Sequence, residues 1–430
     1  MLKCIDASSK SGQTAVKTLN RRAEPDPAVR ETVTKILAAI RAKGDAAVIE
    51  HTKKFDGAKL TPETLRVTQA EMDAAWASLS VDVKKTIEMS HKNVTSFAKR
   101  SMRKNWKTRN FQGVEVGEVF QGFERVGIYV PGGTAPLVST VVMTVTLAKV
   151  ANCNEVVVCT PCQADGSVNP ALLGALKLTG ATEVYRIGGI QAVGAMAYGT
   201  DTIKPVQKIF GPGNPWVIEA KRQVFGLVAI DQLPGPSEIL VLADDTGRPD
   251  WIAADILAQA EHGHGSQVAL ISTSKKLIEA VDAELEKQVK TLGRAKQIKE
   301  VLKASGVSVL VQEMGSAIAI ANAYSPEHLT LIVRNESSVL PHLRTAGAIF
   351  LGNYSPVAVG DFIAGPSHCL PTGGAGKSFP GLTVDQFQRR TSVIKLDDKS
   401  LPKSVPLVET FATIEGLDAH ARSASIRLQA

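Results

Sequence analysis

Two series of short β-rich runs, each run separated from the next by a helical pattern, constrain this chain more than anything else in it. The first series is Val126-Gly-Ile-Tyr-Val, Glu155-Val-Val-Val-Cys, Glu183-Val-Tyr-Arg-Ile and Val206-Gln-Lys-Ile-Phe. The second is Glu238-Ile-Leu-Val-Leu, Gln267-Val-Ala-Leu-Ile, Val307-Ser-Val-Leu-Val and Ala348-Ile-Phe-Leu. Strands that alternate with crossover helices pair in parallel, so each series predicts a parallel sheet covered by helices. A chain of 430 residues is too long for one core, and two α/β domains in tandem are the simplest account. Gln232-Leu-Pro-Gly-Pro-Ser interrupts both patterns with two prolines and a glycine, which sets the domains at 126–236 and 237–380.

The flanks read differently. Residues 1–24 form an N-terminal arm. From 25 to 125 the pattern is helical: Val29, Val33, Ile36, Leu37 and Ile40 share one face, and Gly44-Asp45 reads as a helix end followed by the next N-cap. This segment is expected to pack with the second α/β domain. Beyond about Gly381 the chain turns polar and Lys-rich, then closes with a helical segment around Leu407 to Arg422. Such a tail, 381–430, cannot form a core of its own and must dock on something.

Apolar residues at 44% and charged residues at 21% are those of an ordinary folded, soluble protein. Nowhere do eighteen apolar residues run together, and no apolar segment follows the lysine of Met1-Leu-Lys-Cys-Ile-Asp, so the cytoplasm is the expected compartment. A net charge of +7 is modest over so large a surface, and neither nucleic acid nor membrane is an expected partner. The densest basic stretch, Lys99, Arg100, Arg103, Lys104, Lys107 and Arg109 around Trp106, reads as a solvated face or linker rather than a phosphate-binding groove. Cys4, Cys153, Cys159, Cys162 and Cys369 are odd in number and scattered, which suits free thiols in a reducing compartment.

Two motifs resemble sites that their context denies. Pro371-Thr-Gly-Gly-Ala-Gly-Lys-Ser378 is close to a P-loop, but Pro371 stands where the first glycine belongs and Phe379-Pro-Gly cannot start a helix. Cys159-Thr-Pro-Cys162 has no second pair of ligands nearby to complete a zinc site, leaving a redox dithiol as its functional alternative. Three glycine-rich turns follow strands of the first series: Pro131-Gly-Gly-Thr-Ala, Gly188-Gly-Ile-Gln-Ala and Gly211-Pro-Gly-Asn-Pro. Glycine there lets the backbone approach a ligand and leaves helix N-terminal N–H groups to meet phosphate oxygens. None fits G-x-G-x-x-G, and singly each reads as a tight turn. Together, at strand C-termini, they favour a dinucleotide site, because open α/β sheets bind ligands at that edge.

The second half holds His262, His264, His328, His342, His368 and His420, six of the eight histidines. Gln259 and His262 stand three apart on a helical pattern from Trp251, a usable two-ligand arm. On spacing alone the preferred reading is plainer, an imidazole meeting the last carbonyls of a helix. Ser325-Pro-Glu-His-Leu reads as N-cap and N1 proline, with Glu327 and His328 in a helix's first turn. That neighbouring carboxylate and imidazole can serve two proton transfers, or simply reflect acidic preference at a helix start beside an incidental histidine. Gly360-Asp-Phe-Ile-Ala-Gly-Pro-Ser-His368 sets Asp361 and His368 in a Gly- and Pro-rich loop after the strand at Ala348, and Glu415-Gly-Leu-Asp-Ala-His420 offers the same pair in the tail.

Taken in order, the motifs resemble the histidinol dehydrogenase family over nearly the whole chain. The resemblance rests on Gly44-Asp-Ala-Ala, Lys54-Phe-Asp-Gly, Tyr129-Val-Pro-Gly-Gly-Thr-Ala-Pro, Phe210-Gly-Pro-Gly-Asn-Pro and Gly235-Pro-Ser-Glu. It continues through Gln259-Ala-Glu-His, Pro326-Glu-His-Leu, Gly365-Pro-Ser-His-Cys-Leu-Pro-Thr and Glu415-Gly-Leu-Asp-Ala-His-Ala. It implies Rossmann-like domains, a homodimer, one zinc per active site, and oxidation of L-histidinol through the aldehyde to L-histidine with two NAD. Gln259, His262, Asp361 and His420 then look like zinc ligands facing the substrate. Ser237, His368 and Glu415 look like substrate contacts, and Tyr129, Gln191 and Asn214 like NAD contacts on the three glycine-rich turns. His328 resembles the base of the alcohol step, itself beside the substrate, and Glu327 the residue that activates water. The resemblance also sends the tail to the partner subunit's site and gives zinc the task of orienting substrate.

Departures bear on the substrate more than on the chemistry. Asp231-Gln-Leu-Pro-Gly-Pro-Ser differs from the family's usual Asp-Met-Pro-Ala-Gly-Pro-Ser, and the stretch from Lys99 to Arg109 is unusually basic. Relatives oxidise other small primary alcohols, a sulfonated propanediol among them, with the same machinery. A non-catalytic zinc- or nucleotide-binding protein is the opposing reading, against which stand the intact Glu327, His328 and four ligand positions.

Overall fold

Every strand of the two series pairs in parallel, in two separate sheets of a computed structural model that describes residues 1–20, 26–132 and 136–429. Gly133, Thr134 and Ala135 of the first glycine-rich turn lie outside the described residues, as do residues 21–25 at the end of the expected N-terminal arm. The first sheet runs Glu183–Tyr185, Glu155–Cys159, Arg125–Tyr129, Lys208–Phe210, Ala229–Ile230. The second runs Lys3–Asp6, Gly306–Leu310, Gln267–Ser272, Glu238–Ala243, His328–Ile332, Ala348–Leu351. Numbered along the chain, the strands of each sheet stand in the order 3-2-1-4-5, the four expected of each series joined by Ala229–Ile230 in the first and His328–Ile332 in the second, with Lys3–Asp6 added outside the second; this is Rossmann-like topology twice over.

Burial on both faces explains the near-continuous apolar runs. Val126, Ile128, Val156 and Val158 point into one core of the first sheet, Tyr129, Val157 and Cys159 into the other. In the second sheet Ile239 and Val241 face one way, Leu240 and Leu242 the opposite way.

The motif at Ser325 is corrected. Helix Met314–Tyr324 buries Ala317, Ile320, Ala321 and Tyr324 and ends at Ser325, whose φ of 54° is left-handed and whose N–H bonds the Ala321 carbonyl. Ser325 is therefore a C-cap rather than an N-cap. His328-Leu-Thr-Leu-Ile then enters the sheet as a wholly buried strand, pairing His328 with Ile239 on one side and Ala348 on the other. A local cap-and-proline signal lost to the burial of five consecutive residues. Asp361, expected in a loop, lies on the short helix Val357–Phe362. At Gly44-Asp45 the glycine ends one helix and starts the next, and the Asp45 carboxylate accepts from Thr202 instead of capping.

The helices expected against the second domain pack mainly on the first, and Val81–Ser101 also reaches the second through Ser90 and Asn93. Pro27–Lys43 lies on Gly189–Tyr198 and Pro215–Val224, Gln69–Ser78 on Pro170–Thr179, and Val81–Ser101 on Val138–Val150. The reason is that Val138–Val150 is buried at every residue from Thr140 to Ala148. A helix apolar all round needs an outer layer. Neither flank was expected to contribute strands, yet Trp106–Arg109, Glu115–Gly122 and Gln388–Lys395 form an antiparallel sheet. The basic stretch is exposed along Trp106–Arg109, in keeping with a solvated face. The tail carries helices Leu401–Glu415 and Asp418–Ser425, broken at Gly416, where one segment was expected. Among the described residues no helix is long and apolar enough to cross a membrane, and all five cysteines are free.

Candidate active site

Residues 231–237 carry the chain from the carboxyl edge of the first sheet straight to the amino edge of the second. Gln232 Nε2 donates to the Cys369 carbonyl at 2.9 Å and the Gly235 N–H to Thr372 Oγ1, which seats this linker against the second domain. Apart from Glu415 and His420, the sequence-predicted residues lie around these two edges.

At the carboxyl edge, Tyr129 ends its strand with its hydroxyl accepting from the Gly189 N–H at 3.3 Å, and burial pushes its phenol up to about 12. Gln191, in the first turn of helix Gly189–Tyr198, is fully buried with both amide atoms unpartnered. Thr160, also fully buried, has an unpartnered hydroxyl. Unsatisfied buried polar groups are costly unless a ligand meets them, so this edge fits a polar cofactor such as NAD. Gly211 backs onto Tyr129 with φ 110°, and a Cβ there would stand 2.1 Å from the Tyr129 carbonyl oxygen. The turn is clamped by a fully buried pair: Lys221 Nζ lies 2.8 Å from the Gly211 carbonyl and 2.5 Å from Asp231 Oδ1, while Asp231 Oδ2 accepts from the Gly211 N–H. Asn214 spends its side-chain oxygen capping helix Pro215–Val224, at Trp216 and Val217, a duty that spacing does not separate from ligand contact. Asp56, missed in the sequence except as part of Lys54-Phe-Asp-Gly, faces Gly188, and burial pushes its carboxyl up to about 6.

At the amino edge of the second sheet, one backbone unit holds the Glu-His pair. The Glu238 N–H donates to Glu327 Oε2 at 2.8 Å, and the Glu238 carbonyl lies 3.0 Å from His328 Nδ1. A carbonyl only accepts, so Nδ1 carries the proton and Nε2 of the neutral ring is bare. That Nε2 stands 3.3 Å from Asp361 Oδ1. Two acceptors so close call for a proton or a cation between them. Burial raises the Glu327 carboxyl well above the carboxylate range. Burial alone would lower His328, but the Glu327 carboxylate and then Asp361 outweigh it and raise the imidazole. Glu238 was given no role in the sequence, where it stood only as the end of Gly235-Pro-Ser-Glu and as a carboxylate opening an apolar strand; it accepts from the Gly373 N–H at 3.0 Å.

A cavity of about 320 Å³ opens beside this pair, lined among others by His328, Phe350, Tyr354, Asp361, Ser367 and His368. Gln259, in the last turn of helix Pro249–Ala260, is buried with Nε2 unpartnered, and that helix touches Val357–Phe362. His262, just past helix Pro249–Ala260, is exposed in this chain, and desolvation lowers its imidazole pKa against the pull of Asp361. Burial would raise Asp361, yet His328, His368 and His262 hold it below its ordinary value. An unpartnered carboxamide, an imidazole and an ionised carboxylate are a donor set that fits zinc. Ser237 is half-buried just before the Glu238 strand. His368 bonds the Asp361 carbonyl through Nδ1 and Thr140 Oγ1 through Nε2, and burial lowers its pKa. Glu415 and His420 are not brought in: both stand exposed in the tail. Among the described residues no three His, Cys, Asp or Glu side chains converge into a metal cluster by themselves.

Comparison with known proteins matches residues 19–428 to the family model described as histidinol dehydrogenase. The chain is similar to histidinol dehydrogenase of Agrobacterium fabrum, 43% identical over 422 residues and covering 98% of each chain. It is also similar to that of Syntrophotalea carbinolica, 41% identical over 430 residues and covering 100% of each. A crystal structure of histidinol dehydrogenase from Elizabethkingia anophelis shares the fold with a TM-score of 0.94 at 36% identity, covering 100% of this chain and 98% of that one.

Proposed function

The chain belongs to the histidinol dehydrogenase family, and from that premise we propose that it oxidises L-histidinol through the aldehyde to L-histidine, with NAD as hydride acceptor and zinc in the site. The observation that carries this reading is the Glu238 backbone unit that holds Glu327 and His328 side by side, with His328 lining the cavity. Hydride leaves a carbinol carbon only as its hydroxyl proton is removed. His328 takes that proton at Nε2, because Nδ1 is committed to the Glu238 carbonyl. Glu327 accepts a proton from the water that adds to the aldehyde, and the hydrate yields the second hydride and the carboxylate. Per substrate, one water is consumed, two NAD are reduced and three protons are released.

Tyr129 and Gln191 would contact NAD, with Asn214 at the third turn; NAD, when bound, takes up each hydride. Gln259, His262 and Asp361, with His420 of the partner subunit, would hold zinc. Zinc, when bound, supplies a positive charge that orients the substrate and offsets Asp361, leaving His328 able to take a proton. Ser237, His368 and Glu415 of the partner subunit complete the substrate contacts in this reading. A homodimer is supported by the tail helix Leu401–Glu415, which exposes Leu407, Val408, Phe411 and Ile414 along one side. Five free cysteines suit the cytoplasm.

The test is anaerobic turnover of L-histidinol with NAD, counting NADH per substrate before and after chelation. About two NADH per histidinol, lost with the metal, is the expected result for two hydrides leaving one carbon in a zinc-dependent site. No reduction of NAD by histidinol overturns it.

A further inference from the structure

The helix that carries Asp361, Val357–Phe362, ends with carbonyls that have no partner within it. Side chains take three in succession. The Asp361 carbonyl accepts from His368 Nδ1 at 2.9 Å, the Phe362 carbonyl from Ser90 Oγ at 2.6 Å, and the Ile363 carbonyl from Asn93 Nδ2 at 2.8 Å. Ser90 and Asn93 belong to helix Val81–Ser101, which packs on helix Val138–Val150 of the first domain. Ser367 Oγ reaches that second helix too, donating to the Met143 carbonyl at 3.1 Å. The segment bearing a candidate metal ligand is thus held largely from the nucleotide domain.

His368 is the hinge of this arrangement. Its Nδ1 faces a carbonyl and must carry the proton, which leaves Nε2 of the neutral ring as an acceptor. Thr140 Oγ1 lies 3.1 Å from that Nε2. Thr140 is 1% exposed and sits in the first turn of Val138–Val150, a few residues beyond the glycine-rich turn that follows Tyr129. A hydroxyl buried among valines is unfavourable unless it is bonded.

We propose that Thr140 is a positioning residue for the reaction: its hydroxyl donates to His368 Nε2, fixes the imidazole that holds the Asp361 carbonyl, and so ties the substrate- and metal-side geometry to the helix leaving the nucleotide turn. This rests on the reading of His368 and Asp361 as substrate and zinc contacts. Leaving a buried acceptor without its donor shifts an equilibrium by roughly five- to 150-fold.

The experiment compares T140V, which keeps the shape and removes the hydroxyl, with T140S, which restores the hydroxyl. In zinc-loaded holoenzyme T140V is expected to raise the KM for histidinol roughly tenfold with a smaller change in kcat, and to lose zinc to a chelator roughly tenfold faster, on the energetics of an unmet buried acceptor. T140S is expected to recover both. A structural role alone would lower the melting temperature without separating KM from kcat. T140V with wild-type zinc retention, or T140S as defective as T140V, overturns the proposal, and the zinc readout decides it even if wild-type enzyme fails to oxidise histidinol. In the unsubstituted enzyme without substrate, imidazole 15N shifts must report the Nδ1–H tautomer of His368; the Nε2–H tautomer overturns the proposal whatever the variants do.

Discussion

The Glu238 N–H and C=O hold Glu327 and His328 at 2.8 Å and 3.0 Å, and neither backbone group titrates. The pair therefore keeps its geometry while its protonation changes. Burial keeps Glu327 protonated to higher pH than an ordinary carboxyl. Since a base must be ionised, the aldehyde step is expected to speed up as pH rises above the carboxylate range towards neutrality. Glu327→Gln preserves an acceptor for the Glu238 N–H but cannot take a proton. Single-turnover assays begun from histidinol and from the aldehyde should show the first NADH retained within about tenfold and the second slowed by about 10²–10⁴. Equal losses in both steps would remove Glu327 from the role of water base. Pro326-Glu-His-Leu showed an adjacent carboxylate and imidazole, but its spacing read as a helix start and the role of the pair came from the family resemblance. The pair's anchor was not legible, since a backbone unit ninety residues away leaves no mark on local spacing.

At the scale of elements, Arg125, Glu155 and Glu183 tie together the starts of three neighbouring strands of the first sheet. Arg125 Nη1 lies 2.6 Å from Glu155 and 2.7 Å from Glu183, and the Tyr185 hydroxyl donates to Glu183 at 2.8 Å. Bonding to Arg125, against the opposing effect of burial, holds the Glu183 carboxyl down to about 2 from an ordinary 4.5. A depressed carboxyl stabilises the fold fully above its unfolded pKa and stops doing so as pH falls through its folded pKa. Wild-type stability should thus decline between about pH 4.5 and about 2 on this account. Glu183→Gln should cost on the order of 2 kcal/mol at neutral pH, as for a hydrogen bond to a charged group. Urea melts should show that difference shrinking across the same acid window; a constant difference would mean the charge is not what stabilises the sheet. The eight strands of the two series were legible because both faces of a parallel sheet are buried, whereas Lys3–Asp6, Ala229–Ile230 and His328–Ile332 were not read as strands. The antiparallel sheet of Trp106–Arg109, Glu115–Gly122 and Gln388–Lys395 was not legible either, since it is largely exposed and joins segments far apart in the chain.

At the scale of the whole molecule, the tail leaves apolar side chains exposed. Helix Leu401–Glu415 buries only Val405 and Ala412 and leaves Leu407, Val408, Phe411 and Ile414 to solvent, so this apolar surface awaits a partner. Ending the chain before Leu407 keeps Val405 and both sheets, and should give a folded protein that is monomeric by light scattering, loses zinc on dialysis and does not turn over histidinol. A truncated protein that keeps zinc and activity would separate the tail from the site. Sequence alone determined the two parallel sheets, the turns at the carboxyl edge of the first, and the residue types at the candidate site, because burial periodicity and chemistry are local properties. Tertiary structure decided the rest. It made Ser325 a C-cap and His328 the start of a strand, set the N-terminal helices over the first domain, and moved the Glu-His pair to the amino edge of the second sheet, against the usual preference for the carboxyl edge. Those outcomes depend on which buried surfaces meet, and the free energy of that meeting exceeds the ~1 kcal/mol that a local cap can contribute.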